Sequence, residues 1–516
     1  AYTNGMELRN YLNDTLATGL GPSEYSVHIG NEGYPTQQGA IFLPKPGSGS
    51  IVYLLHEDRE WAPAGYISNS WAQNLYYTEI DMSANNGQGQ VIEKNALLIQ
   101  DTLEKGSLTA IRHANGQDWW LLDPEANTNR YYTLLFGQQG IEDIHTQALG
   151  GLVLDGGGSA VFSPDGTRYA RLTIVYAGGE ADHCLNIYDF DRCNGQLSNH
   201  IEIIFQGAAA GGEGIAISEN SRFLYVVGFL DIWQFDLLAG DIAASRTLVA
   251  ANDGFVSPAN TTTPFHAAQL APNGKIYVNC SSNANYFHII HAPNQKGLAC
   301  NVEQHALEIP TLNYQSIPNF PYYGLGPLDG SPCDTLGIDN PPPQAAFSYV
   351  IEDSAAFQVA FYDGARFSPE SWYWAFGDGQ SSTERFPVHA YAEAGVYEVC
   401  LTAGNQAGSD TFCDTVRFVV SGSLPVDDSV AAVRVFPNPV SDMVTLSAQG
   451  LPAGVREVEL VLYDALGREV LRQSVPINNG GILHRLDLTS IPSGVYFWSL
   501  RAASGEGLGV GRVVKR

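Results

Sequence analysis

The sequence predicts an all-β protein: a large N-terminal β-propeller followed by two small β-sandwiches. Three observations carry this reading. Short alternating runs such as VELVLYDA and VYEVCLTA dominate, and long amphipathic helical periodicity is absent. A turn followed by a strand recurs at near-constant spacing over the first two thirds of the chain. Two polar stretches marked by proline then cut the chain into segments 1–338, 341–421 and 432–516.

The first segment repeats HANGQDWWLL, SPDGTRYARL, SENSRFLYVV and APNGKIYVNC, whose turn residues Asn115, Asp165, Asn220 and Asn273 lie 50, 55 and 53 residues apart. A looser member is GSGSIVYLL at 47. Between the turns come aromatic strands ending in polar turns: LYYTEIDMSANNGQG, LNIYDFDRCNGQL, IWQFDLLAGDI and FHIIHAPNQKG. A period near 50 built from about four strands is that of a propeller blade, because each sheet must stack on its neighbours to bury both faces. Six or seven blades fit the span, against an array of sandwiches as the competing fold. The opening AYTNGMELRN reads as the interior of a blade, so the first blade is incomplete, and PYYGLGPLDGSPCDTLG at 321–337 is placed to close the ring against it.

Three consecutive prolines, Pro341 to Pro343, mark the first break as an extended linker, and SGSLPVDDSVAAV marks the second. In the middle segment, FGDG makes a tight turn in which glycine takes positive φ and Asp378 caps the turn, while tryptophan and tyrosine alternate into a core. The last segment opens on VFPNPVSDMVTLS. There Pro437 and Pro439 hold φ and keep the preceding residues from pairing with the module's first strand, and Gly494 permits the bend before VYFWSL.

Composition bounds the function. With 54 Asp+Glu against 26 Lys+Arg, a net charge of −28 and no local basic cluster, the surface repels phosphate backbones and anionic headgroups. Nucleic acid is therefore not a partner. No run of 18 apolar residues is present. The chain opens without a signal peptide, which suggests a mature or truncated form. Seven cysteines include three close pairs, Cys184 with Cys193, Cys280 with Cys300 and Cys400 with Cys413, read as disulfides formed in an oxidising compartment. Cys333 is left over, its partner placed upstream of Ala1.

Candidates for chemistry are few. HEDREW groups His56, Glu57, Asp58 and Glu60, but without HExxH spacing it reads as a solvated strand end. SPDGTRYA at 163–170 has the look of a structural Asp-box turn, LDGGGSA at 154–160 reads as a loop, and GSGS at 47–50 lacks the context of a nucleophile elbow. His288 and His291 fall on opposite faces of a strand. No cofactor is implied, and calcium is the ion that the acidic turn DFDRCNG at 189–195 would take. Trp119, Trp120, Tyr131, Tyr132, Trp372, Tyr373 and Trp374 divide between blade core and a face that would suit carbohydrate, whose C–H faces pack on aromatic rings.

Two resemblances sharpen the second half of the chain. SWYWAFGDGQSSTERFPVHAYAEAGVYEVCLTAGNQAGSD resembles the PKD domain, an immunoglobulin-like sandwich, through Trp374, Phe376, Gly377, Asp378, Gly379, Pro387, His389, Tyr391, Gly395, Tyr397 and Val399. That resemblance implies a spacer or binding module on a secreted protein. FPNPVSDMVTLS, LYDALGREVLRQ, LDLTSIPSGVYFWSLRA and GRVVKR resemble the type A C-terminal sorting domain of type IX secretion substrates of Bacteroidota, with Pro437, Asn438, Pro439, Gly467, Gly494, Tyr496 and Lys515 as the clearest positions. It implies passage through the periplasm, recognition by the outer-membrane translocon and delivery outside the cell. HANGQDWWLL and NFPYYGLGPLDGSPCDTLG are similar to propeller-like segments of large surface proteins of the same bacteria. Three functions remain open: a binding or adhesion protein with glycans or other surface proteins as partners, a propeller hydrolase or lyase acting on polysaccharide, and a self-associating subunit of an extracellular polymer.

Overall fold

The computed structural model describes residues 2–515 apart from 21–37, 62–69, 153–157, 208–213, 419–433, 437–442, 450–456, 464–468, 503–506 and a scattering of one- to three-residue stretches. It forms two compact units, Ala1–Val416 and Arg417–Arg516.

The first unit begins with six antiparallel sheets in chain order. Among the described residues the first has three strands, Tyr2–Thr3, Glu7–Arg9 and Thr15–Thr18. The second is built on Ala40–Pro44, Ile51–Glu57, Ser70–Asp81 and Gln90–Leu103, with the short strand Glu60–Trp61 beside the third of these. The third comprises Thr109–Arg112, Trp119–Pro124, Arg130–Gly137 and Gly140–Ala148. The fourth comprises Gly158–Phe162, Arg168–Ala177, Glu180–Asp191 and Gln196–Gln206. The fifth comprises Gly214–Ile217, Phe223–Val227, Asp231–Asp236 and Thr247–Ala251, and the sixth Phe265–Leu270, Ile276–Cys280, Ala284–Ile290 and Val302–Asn313.

Each of these last four is a plain meander, and the first strands of successive sheets touch one another from the third to the sixth. Innermost strands side by side, with the meanders running outward, are the blades of a propeller. The approach is close: a Cβ on Gly214 would stand 2.6 Å from the His266 carbonyl of the next blade, so glycine is required there.

Strand alternation makes the blade interfaces. Tyr53 and Leu55 of the second blade face Trp119 and Leu121 of the third, and Trp120 and Leu122 face Tyr169 and Phe162 of the fourth. Leu172 and Leu185 meet Ile215 and Leu224, and Tyr225 and Val227 meet Phe265 and Val278. The repeated turn has one local cause. Asn115, Asp165, Asn220 and Asn273 each accept, on the side-chain oxygen, the backbone N–H two residues on, at 3.0, 3.0, 3.2 and 3.2 Å.

The stretch 321–337 forms no strand, so it does not close the ring as the sequence suggests. It runs instead across the turn end of the blades. Tyr323 donates to the Phe42 carbonyl at 2.8 Å, the Leu328 N–H reaches the Ala114 carbonyl at 2.8 Å, and Cys333 forms a disulfide with Cys193. That disulfide corrects two readings, the upstream partner for Cys333 and the Cys184–Cys193 pair. Cys184 and Cys193 lie along one extended strand and its turn, nine residues or roughly 30 Å apart, too far to bond. Cys280 and Cys300 are likewise separate buried thiols, because Cys280 ends a strand opposite Tyr286 while Cys300 sits beyond the far end of that hairpin, at Ala292. Cys400 and Cys413 are bonded.

The sandwich that follows pairs Phe347–Asp353, Gln358–Asp363 and Val388–Ala390 in one sheet, and Ser381–Ser382, Ser371–Ala375, Val396–Asn405 and Gly408–Arg417 in the other. It packs on the propeller. Ala360 and Tyr362 join the core of the fifth and sixth blades, Arg366 pairs with Glu219 at 2.8 Å, and Arg222 lies over the rings of Phe223, Tyr362 and Phe386. The proline stretch between them is pinned, with the Asn340 amide donating to the Pro327 carbonyl and the Asn405 amide to that of Pro341, both at 2.9 Å.

The second unit is a sandwich of Arg434–Phe436, Met443–Gln449 and Gly481–Asp487 against Glu469–Pro476, Glu457–Tyr463, Gly494–Ala502 and Gly507–Lys515, closed around Leu446, Leu460, Trp498 and Leu500. The residues before Pro437 do pair with the module's first long strand, Phe436 opposite Thr445, contrary to the reading of the prolines as a block. A proline removes only its own N–H, and the residues before it keep theirs.

Candidate functional site

The apolar rows between blades end in ionisable side chains, and the first such end is HEDREW. The ladder continues through it, the Glu57 N–H donating to the Gly39 carbonyl at 2.9 Å and that of Asp58 to Asn74 at 3.0 Å. His56, Glu57 and Asp58 are therefore buried, which overturns the solvated strand end. Asp58 accepts the N–H groups of Gln73 and Asn74 at 2.8 and 3.0 Å. His56 stacks on Tyr76 with Nε2 at 3.3 Å from Thr78 Oγ1, and burial lowers its pKa to about 4. Glu60 is half-buried in the short strand that follows.

Glu57 continues the row of Tyr53 and Leu55, and Asp123 continues the row of Trp119 and Leu121, so two carboxylates close one end of the interface between the second and third blades. Asp123 has 0% exposure, and neither of its oxygens, nor Glu57 Oε1, meets a hydrogen-bond donor. Burial, followed by the neighbouring Asp123, raises the Glu57 pKa well above the carboxylate range, and burial followed by Glu104 does the same to Asp123. Both therefore hold a proton in the fold beyond the pH at which they ionise in the unfolded chain. The stability they contribute is complete below the unfolded carboxylate pKa and is lost as pH rises through the raised folded values. Asp123→Asn is expected to raise the unfolding free energy at pH 8 by about 1–3 kcal/mol, and the unfolding midpoint with it. It should also flatten the midpoint's decline from pH 5 to pH 8, both read by denaturant melts across that range.

The next interface carries a compensated pair. Arg171 Nη1 lies 3.0 Å from Glu104 Oε1, both groups 1% exposed, and Ser107 Oγ donates to Glu104 Oε2 at 2.8 Å. Burial opposes the guanidinium's charge most strongly, but Glu104 together with the hydroxyls of Tyr131, Tyr169 and Tyr188 raises the Arg171 pKa on balance and keeps it protonated. Between the fourth and fifth blades His183, fully buried and stacked on Phe205, meets Asp231: a Cβ on Gly228 would touch both, at 3.2 Å from His183 Nε2 and 2.2 Å from Asp231 Oδ1.

In the sixth blade Cys280 Sγ is 3.4 Å from His288 Nε2, an arrangement with the outline of a nucleophile and its base. The protons run the wrong way for that. His288 Nδ1 accepts the His305 N–H at 3.2 Å, so its proton is on Nε2, and the Cys280 thiol donates to the Tyr286 carbonyl at 3.3 Å. Burial pushes the thiol up to about 12 and the imidazole down to about 3, leaving both neutral. His291, on the other face, pairs with Glu303 at 2.8 Å.

Sequence reasoning passed over Glu104, Asp123, Arg171, His183 and Asp231. The available signal was a charged residue in register with an apolar strand row, as in WWLLDP and RYARLTIV.

The other expected sites are placed as follows. In DFDRCNG, Asp189 pairs with Arg168 at 3.0 Å and accepts from Asn199, while Asp191 accepts the Cys193 N–H at 2.8 Å and the Asn194 amide at 2.7 Å, so the turn's own donors engage its carboxylates. Among the described residues no cluster of three His, Cys, Asp or Glu side chains could hold a metal. Trp119, Trp120, Tyr131 and Trp374 are core, while Tyr373 is exposed. In the middle sandwich Trp374 donates to the Glu384 carbonyl at 2.9 Å, the His389 ring stacks on Phe376 with centroids 4.1 Å apart and holds Asp378 at 2.8 Å, and Tyr391 donates to the Phe376 carbonyl at 3.1 Å. Gly377 and Gly379 have φ of 81° and 88°. In the last module Gly494 opens a strand and Tyr496 is core, while the buried Lys515 ammonium donates to the carbonyls of Leu488 and Ile491. Pro437, Asn438, Pro439, Gly467 and the loop 153–157 lie outside the described residues.

Two known families match the last third of the chain. A PKD domain matches residues 340–420, and a secretion system C-terminal sorting domain matches residues 434–510. Collagenase ColQ1 of Bacillus cereus is 30% identical over 107 residues, 20% of this chain and 10% of its own. The pre-pro-metalloprotease PrtV of Vibrio cholerae is 33% identical over 88 residues, 17% of this chain and 10% of its own. The chain thus spans about a tenth of the length of these curated relatives. Among solved structures, the PKD1 domain of the Vibrio cholerae protease is 34% identical and covers 15% of this chain and 95% of its own, with a TM-score of 0.14. A candidate 6-phosphogluconolactonase from Bacteroides uniformis is 14% identical and covers 53% and 86%, with a TM-score of 0.32. The chain carries a PKD domain and a type IX sorting domain. It is a protein handled by the type IX secretion machinery and delivered to the cell surface or the extracellular space.

Proposed function

We propose that this secreted protein is a non-catalytic recognition or adhesion component of the outer cell surface, in which the propeller and the PKD sandwich form the binding body. The supporting observation is the disposal of the propeller's acids. Glu57, Glu104 and Asp123, the carboxylates best grouped for acid/base work, are at most 4% exposed inside blade interfaces, whereas a general acid or base must reach its substrate. The docked PKD sandwich is bound through Arg222, Arg366 and Arg385, which makes it part of the body rather than a spacer.

A second reading, a propeller hydrolase or lyase acting on polysaccharide, is favoured by one observation: Glu57 and Asp123 are adjacent buried acids whose pKa values burial raises, the direction a proton donor needs.

The C-terminal module is the export address, with Pro437, Asn438, Pro439, Gly467, Gly494, Tyr496 and Lys515 as the motif the translocon reads. Its compactness as a separate unit is consistent with removal without loss of the rest. Deleting residues 433–516 is expected to leave the remainder folded but retained in the periplasm, and to abolish adhesion of the cells that express it. Fractionation and a surface-attachment assay read both outcomes, and normal display of the truncated chain would contradict the assignment.

A further inference from the structure

The cavity on the propeller axis opens where the PKD sandwich docks. Its volume is about 200 Å³, and the innermost strands of the third to sixth blades line it together with the stretch 320–324 and the PKD residues Arg366 and Phe367. A second cavity of about 250 Å³ continues it along the junction, sharing Pro164, Glu219, Tyr322, Arg366 and Phe367. We infer that this junction cleft is a binding site for a neutral saccharide chain, an inference that rests on the recognition reading and gives it a place and a ligand class.

Two sets of observations carry it. The walls combine ring faces with hydrogen-bonding groups, as sugar recognition requires: Phe320, Tyr322 and Phe367 offer surfaces for C–H faces, and Gln269, Glu219 and Arg366 offer donors and acceptors for hydroxyls. The guanidinium groups of the cleft already have acidic or carbonyl partners. Arg366 pairs with Glu219 at 2.8 Å, Arg385 with Asp363 at 2.9 Å, and Arg192 donates to the Arg112 and His113 carbonyls at 2.9 and 3.2 Å. The lining sets Asp165, Glu219 and Glu370 against Arg192, Arg366 and Arg385, so the cleft is electrically balanced, which suits a neutral polyhydroxylated ligand better than an anionic one.

Phe367 is also held in an unusual way. It is 39% exposed at the cleft, and it and Ser368 have φ of 64° and 52°, the left-handed region that a bulky side chain rarely enters. The Asn405 amide clamps the loop through the Phe367 carbonyl at 3.2 Å. The backbone bears strain to keep an aromatic ring at the cleft instead of in the PKD core.

The test uses the full chain against soluble neutral hexasaccharides of glucose, mannose, xylose and N-acetylglucosamine, with calorimetry for Kd and product analysis for turnover. At least one is expected to bind unchanged, with Kd weakened ten-fold or more by Phe367→Ala, weakened by Glu219→Gln, and largely restored in Phe367→Trp. Thermal melts check that each variant folds, and because Phe367 lies outside the PKD core its replacement leaves the sandwich intact. Saccharide binding unaffected by Phe367→Ala would overturn the site while leaving recognition in place. Adhesion to protein or cells with none of the four saccharides bound would overturn the ligand class alone. Cleavage of the saccharide would overturn the recognition reading itself.

Discussion

Replacing Cys333 with serine is expected to lower the unfolding free energy of the first unit by about 4–5 kcal/mol, the loop-closure term for a cross-link of this span. The bond to Cys193 joins residues 140 apart, and so ties the tail beyond the sixth blade to a turn of the fourth. Without it the tail must find its place through the Tyr323, Leu328 and Asn340 hydrogen bonds alone. The Cys400–Cys413 bond spans only 13 residues, so Cys413→Ser should cost less, about 3 kcal/mol. Denaturant melts of the two variants under non-reducing conditions measure the difference. Equal losses, or a Cys193 thiol that alkylates in the oxidised wild type, would contradict the assigned pairing.

Arg171→Met should destabilise the propeller by about 3–5 kcal/mol, because it strands Glu104 as an unpaired buried charge. The pair is fully enclosed, and the same carboxylate is fixed by Ser107 on its other oxygen. Removing both charges, in Arg171→Met with Glu104→Met, should recover most of the loss, since apolar side chains of similar volume suit the interface of the third and fourth blades. A double-mutant cycle on the unfolding midpoint reads this directly. A double variant no more stable than Arg171→Met would mean that the charges are required for the packing itself.

What the sequence disclosed follows the range of the forces involved. The repeated turn was legible because its cause is local: one side-chain oxygen caps an N–H two residues away, four times over, and the spacing of Asn115, Asp165, Asn220 and Asn273 counts blades. The PKD turn was legible for the same reason, since Gly377 and Gly379 must be glycine where φ is positive. Contacts made across long separations left no such trace. Cys193 and Cys333 sit in unrelated turns, and proximity in sequence pointed to Cys184 instead. Glu57 read as solvated because its own neighbours are charged, whereas the side chains that bury it, such as Asp123, come from another blade. The docking of the PKD sandwich was hidden behind three prolines that look like a spacer, because Arg366 and Arg385 find Glu219 and Asp165 only once both modules have folded.

The most direct test of the central claim places binding and turnover in one experiment: the purified chain is mixed with extracellular polysaccharide at pH 5 and pH 8, and bound protein and released sugar ends are measured together. Binding without release, unchanged in Glu57→Gln and Asp123→Asn, is the expected result. Release of sugar ends that either substitution abolishes would contradict it and make the buried pair the catalytic acids of an enzyme.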